Sequence, residues 1–415
     1  MNFYIGLDFG TSGARATVID DACLIVSEGQ VAFPDIADWT MVWPEALNSL
    51  LNGIPLLLRQ HTRRIAINGT SSTVLLCEED GGPVVAPLLY NDTRGRSALS
   101  EVEAIAPPEH VVRSATSSLT KLLWWQQQRR TQYAHVLLHQ ADWLGFLLHG
   151  QIGMTDYHNA LKLGYDVEQL EYPDWLMSLD CSPLLPRVVP PGTPVGTVTS
   201  SSCDRFGLPA DCVVCAGTTD SIAAFIASGA SQPGQAVTSL GSTLVLKLLS
   251  QTPVNESQSG VYSHRYGNLW LTGGASNTGG AVLKQFFSAE ELIALSGQID
   301  PSQDSGLDYY PLSQPGERFP INEPNLEPCL EPRPSEAQNF LHGLLESMAR
   351  IERQGYERLV MLGATPVGTV CTAGGGAKNK TWQQIRQRIL QVPVLASPQT
   401  EAAFGTAMLA KKQGV

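Results

Sequence analysis

Long apolar runs and basic clusters are missing from this chain of 415 residues. No apolar stretch approaches the length that crosses a bilayer, so we expect no membrane contact. The formal net charge is −12 and no Lys/Arg run is longer than a dipeptide such as Lys411-Lys412, so we expect no nucleic-acid partner. Because Met1–Tyr4 has no basic segment ahead of an apolar stretch, we expect a cytoplasmic location.

Two common nucleotide-binding patterns are missing as well. No Gly-x-x-x-x-Gly-Lys-Ser/Thr run is present, which excludes a P-loop, and no Gly-x-Gly-x-x-Gly follows a strand, which leaves the dinucleotide fold unsupported. Among the scattered cysteines, only Cys212 and Cys215 have the spacing of a metal or redox pair. In a strand over 211–216 they point to opposite faces, so we interpret them as buried apolar residues. Any nucleotide site therefore uses another architecture.

Length and composition predict a globular enzyme with more than one domain. Chains beyond about 250 to 300 residues tend to divide, and 43% hydrophobic with 16% charged residues is ordinary for a globular protein. We place the first lobe at 1–227, with 401–415 packing back on it, and the second at 228–400.

The first chemical motif runs from Ile5 to Arg15, where a strand ends in an acid and a glycine-rich turn. Alternation in the strand puts Asp8 on the face opposite the apolar residues Ile5, Leu7 and Phe9. The turn contains Gly10 and Gly13, which can take positive φ and expose N–H groups, and Thr11 and Ser12, which add hydroxyl donors. A phosphate-binding hairpin and an ordinary glycine-rich hairpin both fit this stretch when it is taken alone.

A second hairpin repeats the pattern later in the chain. Residues 237–247 have a strand, the turn Gly241-Ser242-Thr243 and another strand. A second acid, Asp220, closes a strand and turn over 211–220, and the glycines at 374–376 precede a helix over 381–390. The repeat predicts two similar lobes that face each other across a cleft.

Polar groups suited to a polyol occur at two further turns. Gly69 to Thr73 is a small hydroxyl-rich turn at a strand end, and Asn91 to Arg94 combines amide, carboxylate and guanidinium groups. A solvated turn with local Asp92 and Arg94 pairing explains the second cluster equally well. We interpret helices over 120–132 and 140–148 as packing elements, and we expect a capping box from Ser335 to Gln338 to start a long helix.

These motifs resemble those of the actin, hexokinase and heat-shock chaperone ATPase superfamily, and within it the FGGY carbohydrate kinases. Gly6 to Arg15 is similar to the first phosphate motif of that family, Gly217 to Gly229 to its catalytic-aspartate motif, and Ala373 to Trp382 to its adenosine motif. The short chain and the first hairpin most resemble the cyanobacterial and plant kinases of D-ribulose, with xylulose kinases as the nearest alternative.

The resemblance implies an α/β fold with two ribonuclease H-like lobes, mixed central sheets flanked by helices, and an active-site cleft between them. It also implies an ATP-dependent, magnesium-requiring kinase of a small ketopentose, most similar to D-ribulokinases, that acts as a monomer or weak homodimer. A xylulokinase or other polyol kinase is the alternative within the family. An actin-like ATPase switch that needs no sugar is the alternative from another class.

The same resemblance assigns roles to individual residues. Asp220 and Asp8 are the expected catalytic residues, with Asp220 as the base. Both are expected to contact substrate, and Asp8 is also expected to hold magnesium, through water. The residues expected to bind phosphate or ATP are Gly10, Thr11, Ser12, Gly13, Arg15, Gly241, Ser242, Thr243, Gly274, Gly375, Gly376, Asn379 and Trp382. The remaining expected substrate contacts are Ser71, Ser72, Asn91, Asp92 and Arg94.

Overall fold

The computed structural model describes residues 1–35 and 38–412. Its strands are β1 Phe3–Phe9, β2 Gly13–Asp20, β3 Ile25–Ala32, β4 Thr62–Gly69, β5 Val74–Cys77, β6 Val136–His139, β7 Met154–Asp156, β8 Arg187–Val189, β9 Pro194–Thr197, β10 Val213–Thr219, β11 Gln235–Leu240, β12 Leu244–Ser250, β13 Tyr262–Tyr266, β14 Leu269–Ser276, β15 Thr369–Ala373 and β16 Val394–Ala396.

The α-helices are α1 Trp39–Gly53, α2 Leu56–Arg59, α3 Leu99–Ile105, α4 Ser118–Gln127, α5 Gln140–His149, α6 Tyr157–Ala160, α7 Asp174–Met177, α8 Ser200–Phe206, α9 Asp220–Ala227, α10 Gly280–Phe286, α11 Ala289–Ser296, α12 Ala337–Met361, α13 Lys380–Leu390 and α14 Ala402–Lys412. Over residues 1–35 and 38–412, no helix is both long enough and apolar enough to cross a membrane.

The chain forms two compact units. Unit 1 comprises Met1–Ala227 and Glu401–Val415, of which 413–415 lie outside the described residues, and unit 2 comprises Ser228–Thr400. The assignment of sugar binding to the first unit and of ATP binding to the second stays a prediction.

Unit 1 is built on a six-stranded mixed sheet with the strand order β3-β2-β1-β4-β10-β9. β1 is antiparallel to β2 and parallel to β4, which is in turn parallel to β10. One face of β1 carries Ile5, Leu7 and Phe9, which are buried in a core with α1 and α5. Three parallel strands therefore end side by side next to the turn after β1.

Unit 2 is built on a second six-stranded sheet with the order β13-β14-β12-β11-β15-β16. β11 is antiparallel to β12 and parallel to β15, and β15 is parallel to β16. Apart from the extra strands β9 and β13, the two sheets share the same succession of strand directions. The two hairpins predicted from the sequence, β1–β2 and β11–β12, thus belong to two sheets that share this topology.

The second face of β1 is covered by the C-terminal helix. A side chain at Gly6 would place its Cβ 2.1 Å from the carbonyl oxygen of Ala403 and 2.2 Å from the amide nitrogen of Ala407. At Gly405 a Cβ would lie 1.8 Å from the carbonyl oxygen of Ala223 in α9. Glycine at these two contacts lets α14 lie directly on the sheet and on α9.

Two sequence expectations about helix ends are wrong. The long helix α12 begins at Ala337 with Glu336 as its N-cap, and no side-chain hydrogen bond caps it, so the expected capping box from Ser335 to Gln338 does not form. Helix α4 begins at Ser118 and ends at Gln127, five residues before the expected end at 132. The side chain of Ser117, which precedes the expected start, caps α4 by accepting from the amide of Thr120.

Candidate functional site

The β1–β2 turn exposes the hydroxyl residues predicted for phosphate binding. Thr11 and Ser12 are exposed, and the amide of Gly10 donates to the carbonyl oxygen of Gly13 at 3.0 Å. Neither glycine has a positive φ, so that part of the expectation is wrong. Gly13 is required for a different reason, because a Cβ there would lie 2.5 Å from the carbonyl oxygen of Val31 in β3.

Asp8 is the buried acid of unit 1 at this turn. It is 4% exposed, and its Oδ1 has no hydrogen-bond partner within the described part of the chain. The Nη1 of Arg15 lies 3.7 Å from Asp8 Oδ2, while the Nε of Arg15 lies 3.8 Å from an oxygen of Glu401. Burial, followed by the nearby charge of Asp220, raises the pKa of Asp8 to about 6, against the lowering effect of Arg15.

Asp220 begins α9 immediately after β10 and lies beside the same end of the sheet. The pairing register sets Asp8, Asn68 and Thr218 side by side on β1, β4 and β10. The backbone of β10 can approach β4 closely because residue 217 is glycine, where a Cβ would lie 1.9 Å from the carbonyl oxygen of Ile67. Two carboxylates are thereby brought near each other at the carboxyl ends of parallel strands, where α/β sheets bind ligands.

Asn68 fixes the surroundings of Asp8 and was missed by the sequence reasoning. Its side chain is fully buried, its amide donates to Thr406 Oγ1 of α14 at 2.6 Å, and its hydrogen bond to Asp8 lowers the pKa of that carboxyl. The signal was an amide residue that directly follows the apolar run 65–67 at the end of β4. Asn68 therefore links the acid to the C-terminal helix.

The turn after β4 holds the two serines predicted to contact substrate. Ser71 is half-buried, whereas Ser72 is 2% exposed and has a φ of 65°. The Oγ of Ser72 has no hydrogen-bond partner among residues 1–35 and 38–412. A buried hydroxyl without a partner is costly, so this position is suited to a ligand hydroxyl.

The second polar cluster is an ion pair at a turn. The guanidinium of Arg94 donates from Nε to Asp92 Oδ1 at 3.1 Å and from Nη2 to Asp92 Oδ2 at 2.6 Å. Asn91 and Arg94 are exposed, and Asp92 is half-buried. The Arg94 guanidinium also lies over the ring of Trp124, 5.2 Å from its centroid. The local pair of Asp92 and Arg94, which was the alternative interpretation of this cluster, is therefore observed. The expected contact of these residues with substrate stays a prediction.

A buried lysine joins the two polar turns and was also missed. Lys121 in α4 is fully buried, and its Nζ donates to the carbonyl oxygens of Ser72 and Leu89 at 2.7 Å each. Burial lowers the pKa of Lys121 to about 7, while the charge of Asp92 acts in the opposite direction. The sequence signal was a single charged residue within the largely apolar segment 119–125. From the sequence, the helix over 120–132 is interpreted only as a packing element.

The β11–β12 turn of unit 2 is tied to the start of α10. The amides of Gly280 and Ala281 donate to the carbonyl oxygens of Gly241 and Ser242 at 2.9 and 3.0 Å. Ser242 is exposed and Thr243 is half-buried. Two backbone hydrogen bonds therefore hold the carbonyl groups of the turn, while Ser242 stays exposed.

The glycines at the junction after β15 differ in how much space surrounds them. Gly374 has a φ of 80°. Within the part of the chain that the structure describes, a Cβ at Gly375 would meet no atom within 4 Å, whereas one at Gly376 would lie 2.8 Å from the ring of Trp382. Trp382 is 3% exposed, and its indole N–H donates to the carbonyl oxygen of Leu345 at 3.1 Å. Trp382 thus packs in the core directly beneath Gly376.

Two residues expected at the adenosine pocket have structural partners. Asn379 caps α13 by accepting from the amide of Trp382 at 2.9 Å, and its amide donates to Ser296 Oγ at 2.8 Å. Gly274 is buried, and a Cβ there would lie 2.6 Å from the ring of Phe319. The missing side chain of Gly274 makes room for a core aromatic ring, and the expected place of Gly274 at a nucleotide pocket stays a prediction.

The comparison with protein families decides the class of this site. The N-terminal domain of the FGGY family of carbohydrate kinases matches residues 3–227, and the C-terminal domain of that family matches residues 236–413. The chain belongs to the FGGY family of carbohydrate kinases. The resemblance inferred from the sequence motifs is thereby confirmed at the level of the family, and the chain is an ATP-dependent sugar kinase.

Relatives of this FGGY kinase differ in the sugar for which they are named. A xylulose kinase of Staphylococcus xylosus is 20% identical over 447 residues, covering 99% of this chain and 90% of the relative. An L-fuculokinase of Escherichia coli K12 is 23% identical over 450 residues, covering 99% and 92%. A ligand-bound xylulose kinase structure from Lactobacillus acidophilus has a TM-score of 0.85 at 15% identity, covering 100% and 89%. The last likeness confirms the two-domain α/β fold.

Magnesium is implied by the FGGY family, and the donor set of unit 1 fits it in part. Within residues 1–35 and 38–412 no group of three or more His, Cys, Asp or Glu side chains could hold a metal ion. Magnesium, however, keeps several waters and needs one or two carboxylates together with substrate phosphates. Asp8 lies near Asp220, and its buried Oδ1, which has no hydrogen-bond partner among the described residues, supplies carboxylate oxygen of that kind.

Proposed function

We propose that this FGGY kinase transfers the γ-phosphate of ATP to a hydroxyl of a small ketopentose, with D-ribulose as the first candidate and Asp220 as the general base. The observation that carries the proposal is the pair of carboxyls at the ends of β1 and β10, where burial and Asp220 raise the pKa of Asp8 to about 6. Perturbed acids that lie together are typical of catalytic sites.

Each acid has a separate task in this mechanism. The carboxylate of Asp220 accepts the proton of the sugar hydroxyl as that oxygen attacks the γ-phosphorus, and the bond from phosphorus to the ADP oxygen breaks in line. Asp8 would hold the metal through water, and the metal, when bound, neutralises charge on the phosphate oxygens. The products are a sugar phosphate and ADP, with the proton left on Asp220.

The turns on either sheet are proposed to bind the nucleotide. Thr11, Ser12, Gly10, Gly13 and Arg15 supply hydroxyl, amide and guanidinium donors suited to the γ-phosphate. In unit 2 the residues proposed for phosphate are Gly241, Ser242 and Thr243, and those for adenosine are Gly375, Gly376, Asn379 and Trp382. Support for the second group comes from the open space at Gly375.

The small side chains in the turn after β4 support a small sugar as the substrate. Ser71 and Ser72 offer hydroxyls without bulk, and Ser72 Oγ is buried and unpaired within the described residues. The resemblance of the hairpin 6–15 favours D-ribulose, whereas the relatives named xylulose kinase favour D-xylulose as a second candidate. We therefore place both ketopentoses above other polyols.

Coupled measurement of ADP release tests the proposal. The purified protein is given ATP and magnesium with D-ribulose, D-xylulose, L-fuculose, pentitols or glycerol in turn, and the product is examined by mass spectrometry for one added phosphate. Strong stimulation by D-ribulose together with a phosphorylated pentose is the expected result. Preference for D-xylulose would select the second candidate, and ADP release that no sugar stimulates would instead indicate an ATPase switch.

A further inference from the structure

Lys121 places an amino group in the interior of unit 1. Its side chain is fully buried in α4, and its Nζ donates to the carbonyl oxygens of Ser72 and Leu89 at 2.7 Å each. Fully buried lysines are rare because the ammonium loses its hydration, and they are retained where specific partners replace it. Two carbonyl oxygens from separate loops are such partners.

The two carbonyls belong to the turns that carry the proposed sugar contacts. Ser72 lies in the turn after β4, and Leu89 lies two residues before Asn91, the first residue of the Asn91–Arg94 turn. The first turn is also held from α5, because Gln140 Oε1 accepts from the amide of Thr70 at 3.0 Å and the amide of Gln140 donates to the carbonyl oxygen of Thr73 at 3.0 Å. Lys121 supplies the connection between this turn and its neighbour.

The backbone at Ser72 needs such support. Its φ of 65° lies in the left-handed region, which is unfavourable for a residue with a Cβ. Surrounding contacts must hold this conformation, and the hydrogen bond from Lys121 to the carbonyl of the same residue is one of them. The result of the conformation is a buried hydroxyl whose Oγ has no partner in the described structure.

We propose that Lys121 is a positioning residue of the sugar site, whose side chain ties the Ser72 turn to the Asn91–Arg94 turn and fixes the Ser72 hydroxyl for a hydrogen bond to the sugar. The inference rests on the proposed function. An ammonium and a neutral amine both have the two N–H donors that the tie requires. Lys121 acts through Ser72 and does not itself touch the reacting atoms.

A double-mutant cycle tests this role through the KM for sugar. Lys121→Met keeps the length and apolar stem but removes the donors, Ser72→Ala removes the hydroxyl, and the third variant combines them. Lys284→Met, at an exposed lysine of α10, is the control. Losing a hydrogen bond that involves a charged group predicts about a 10- to 100-fold higher KM for the ketopentose in Lys121→Met. The KM for ATP should stay within about twofold of wild type.

The cycle also tests whether Lys121 acts through Ser72. In the Ser72→Ala background, Lys121→Met should raise the KM for sugar little further, because the hydroxyl that it positions is already gone. Additive effects of the two substitutions would overturn the inference. A rise in the KM values of sugar and ATP together, with a lower melting temperature, would indicate general damage and overturn it as well.

The wild-type protein in the same assay distinguishes failure of the proposed function from failure of the inference about Lys121. A wild-type protein that no ketopentose stimulates overturns the proposed function and this inference with it. A stimulated wild type whose KM for sugar is unchanged in Lys121→Met overturns the inference alone. If Lys121→Met does not fold, Lys121→Gln replaces it, because the shorter amide cannot reach both carbonyls, and the same selective rise in sugar KM is expected.

Discussion

Asp8 and Asp220 lie at the carboxyl ends of β1 and β10, two strands separated in the sheet of unit 1 by β4 alone. Burial and the charge of Asp220 together raise the pKa of Asp8 to about 6. A row of side chains from Asp8 through Asn68 to Thr218 crosses the three strands at this point. The sheet thereby holds two acids in different environments, one buried and one half-buried at the start of a helix.

Replacing Asp220 by Asn should remove most of the sugar-dependent turnover and leave the fold intact. General-base catalysis typically contributes about 100- to 10,000-fold, so kcat should fall by that factor. Asp211→Asn is the matched control, because Asp211 precedes the same strand and forms an exposed ion pair with Arg63 at 2.9 Å. Steady-state kinetics of both variants check this, and normal turnover in Asp220→Asn would refute the assignment.

Asp8→Asn should stabilise the protein at pH 8 more than at pH 4. The pKa of Asp8 is raised from 3.8 to about 6 in the folded state. A raised pKa means that folding is favoured while the carboxyl is protonated, and this contribution is lost as the pH rises through about 6. The amide should recover up to about 3 kcal/mol of unfolding free energy at pH 8.

Thermal unfolding of Asp8→Asn at both pH values measures this difference. Asp21→Asn serves as the control, because hydrogen bonds led by the backbone amide of Asn2 lower the pKa of Asp21, which predicts the opposite sign at pH 8. An equal shift of the melting temperature at pH 4 and pH 8 would contradict the prediction for Asp8.

Arg386→Met should strongly destabilise unit 2. The guanidinium of Arg386 donates to both carboxylate oxygens of Glu352 at 2.6 and 2.7 Å, and both side chains are buried. Removing one member of a buried pair leaves the other uncompensated, at a cost of about 3 to 5 kcal/mol. Arg353→Met is the control, since the adjacent Arg353–Glu357 pair is exposed and such pairs contribute about 1 kcal/mol or less. Equal unfolding free energies of the two variants in urea would disprove the difference.

Gly375→Ala tests the nucleotide site without disturbing the fold. A Cβ at this position meets no atom of the described residues within 4 Å, so stability should change by no more than about 0.5 kcal/mol. If adenosine lies against this glycine, the methyl group displaces it, and the KM for ATP should rise by about tenfold, equivalent to about 1.4 kcal/mol. Gly297→Ala, at the C-cap of α11, is the control. An unchanged KM for ATP in Gly375→Ala would remove Gly375 from the site.

The sequence predicted the parts of the fold that depend on local pattern. The hairpins around Asp8 and Gly241 combine alternating apolar residues with glycine-rich turns, and both signals lie within about ten residues. Their repetition predicted two related sheets, and the topology of the two units agrees. Local patterns of this kind are sufficient because strand pairing across a short turn needs no distant partner.

The parts that were missed depend on distant contacts. Lys121 receives its role from Ser72 and Leu89, 49 and 32 residues away, so no local pattern reveals it. Glycine is needed at position 13 because the carbonyl oxygen of Val31 in the neighbouring strand β3 lies too close for a side chain. The positive φ expected at a tight turn is not the reason. The burial of Gly274 depends on Phe319, which lies in a segment without regular secondary structure.

The return of α14 to the first sheet has a consequence for biosynthesis. Domains generally fold as units while the chain is being made, from the N-terminus onward. The face of β1 that contains Gly6 is covered by residues 402–412, so unit 1 stays incomplete on the ribosome until all of unit 2 has been translated. A ribosome that stalls anywhere between 228 and 400 therefore holds a first sheet with one face bare, and that face becomes a site for chaperones or aggregation.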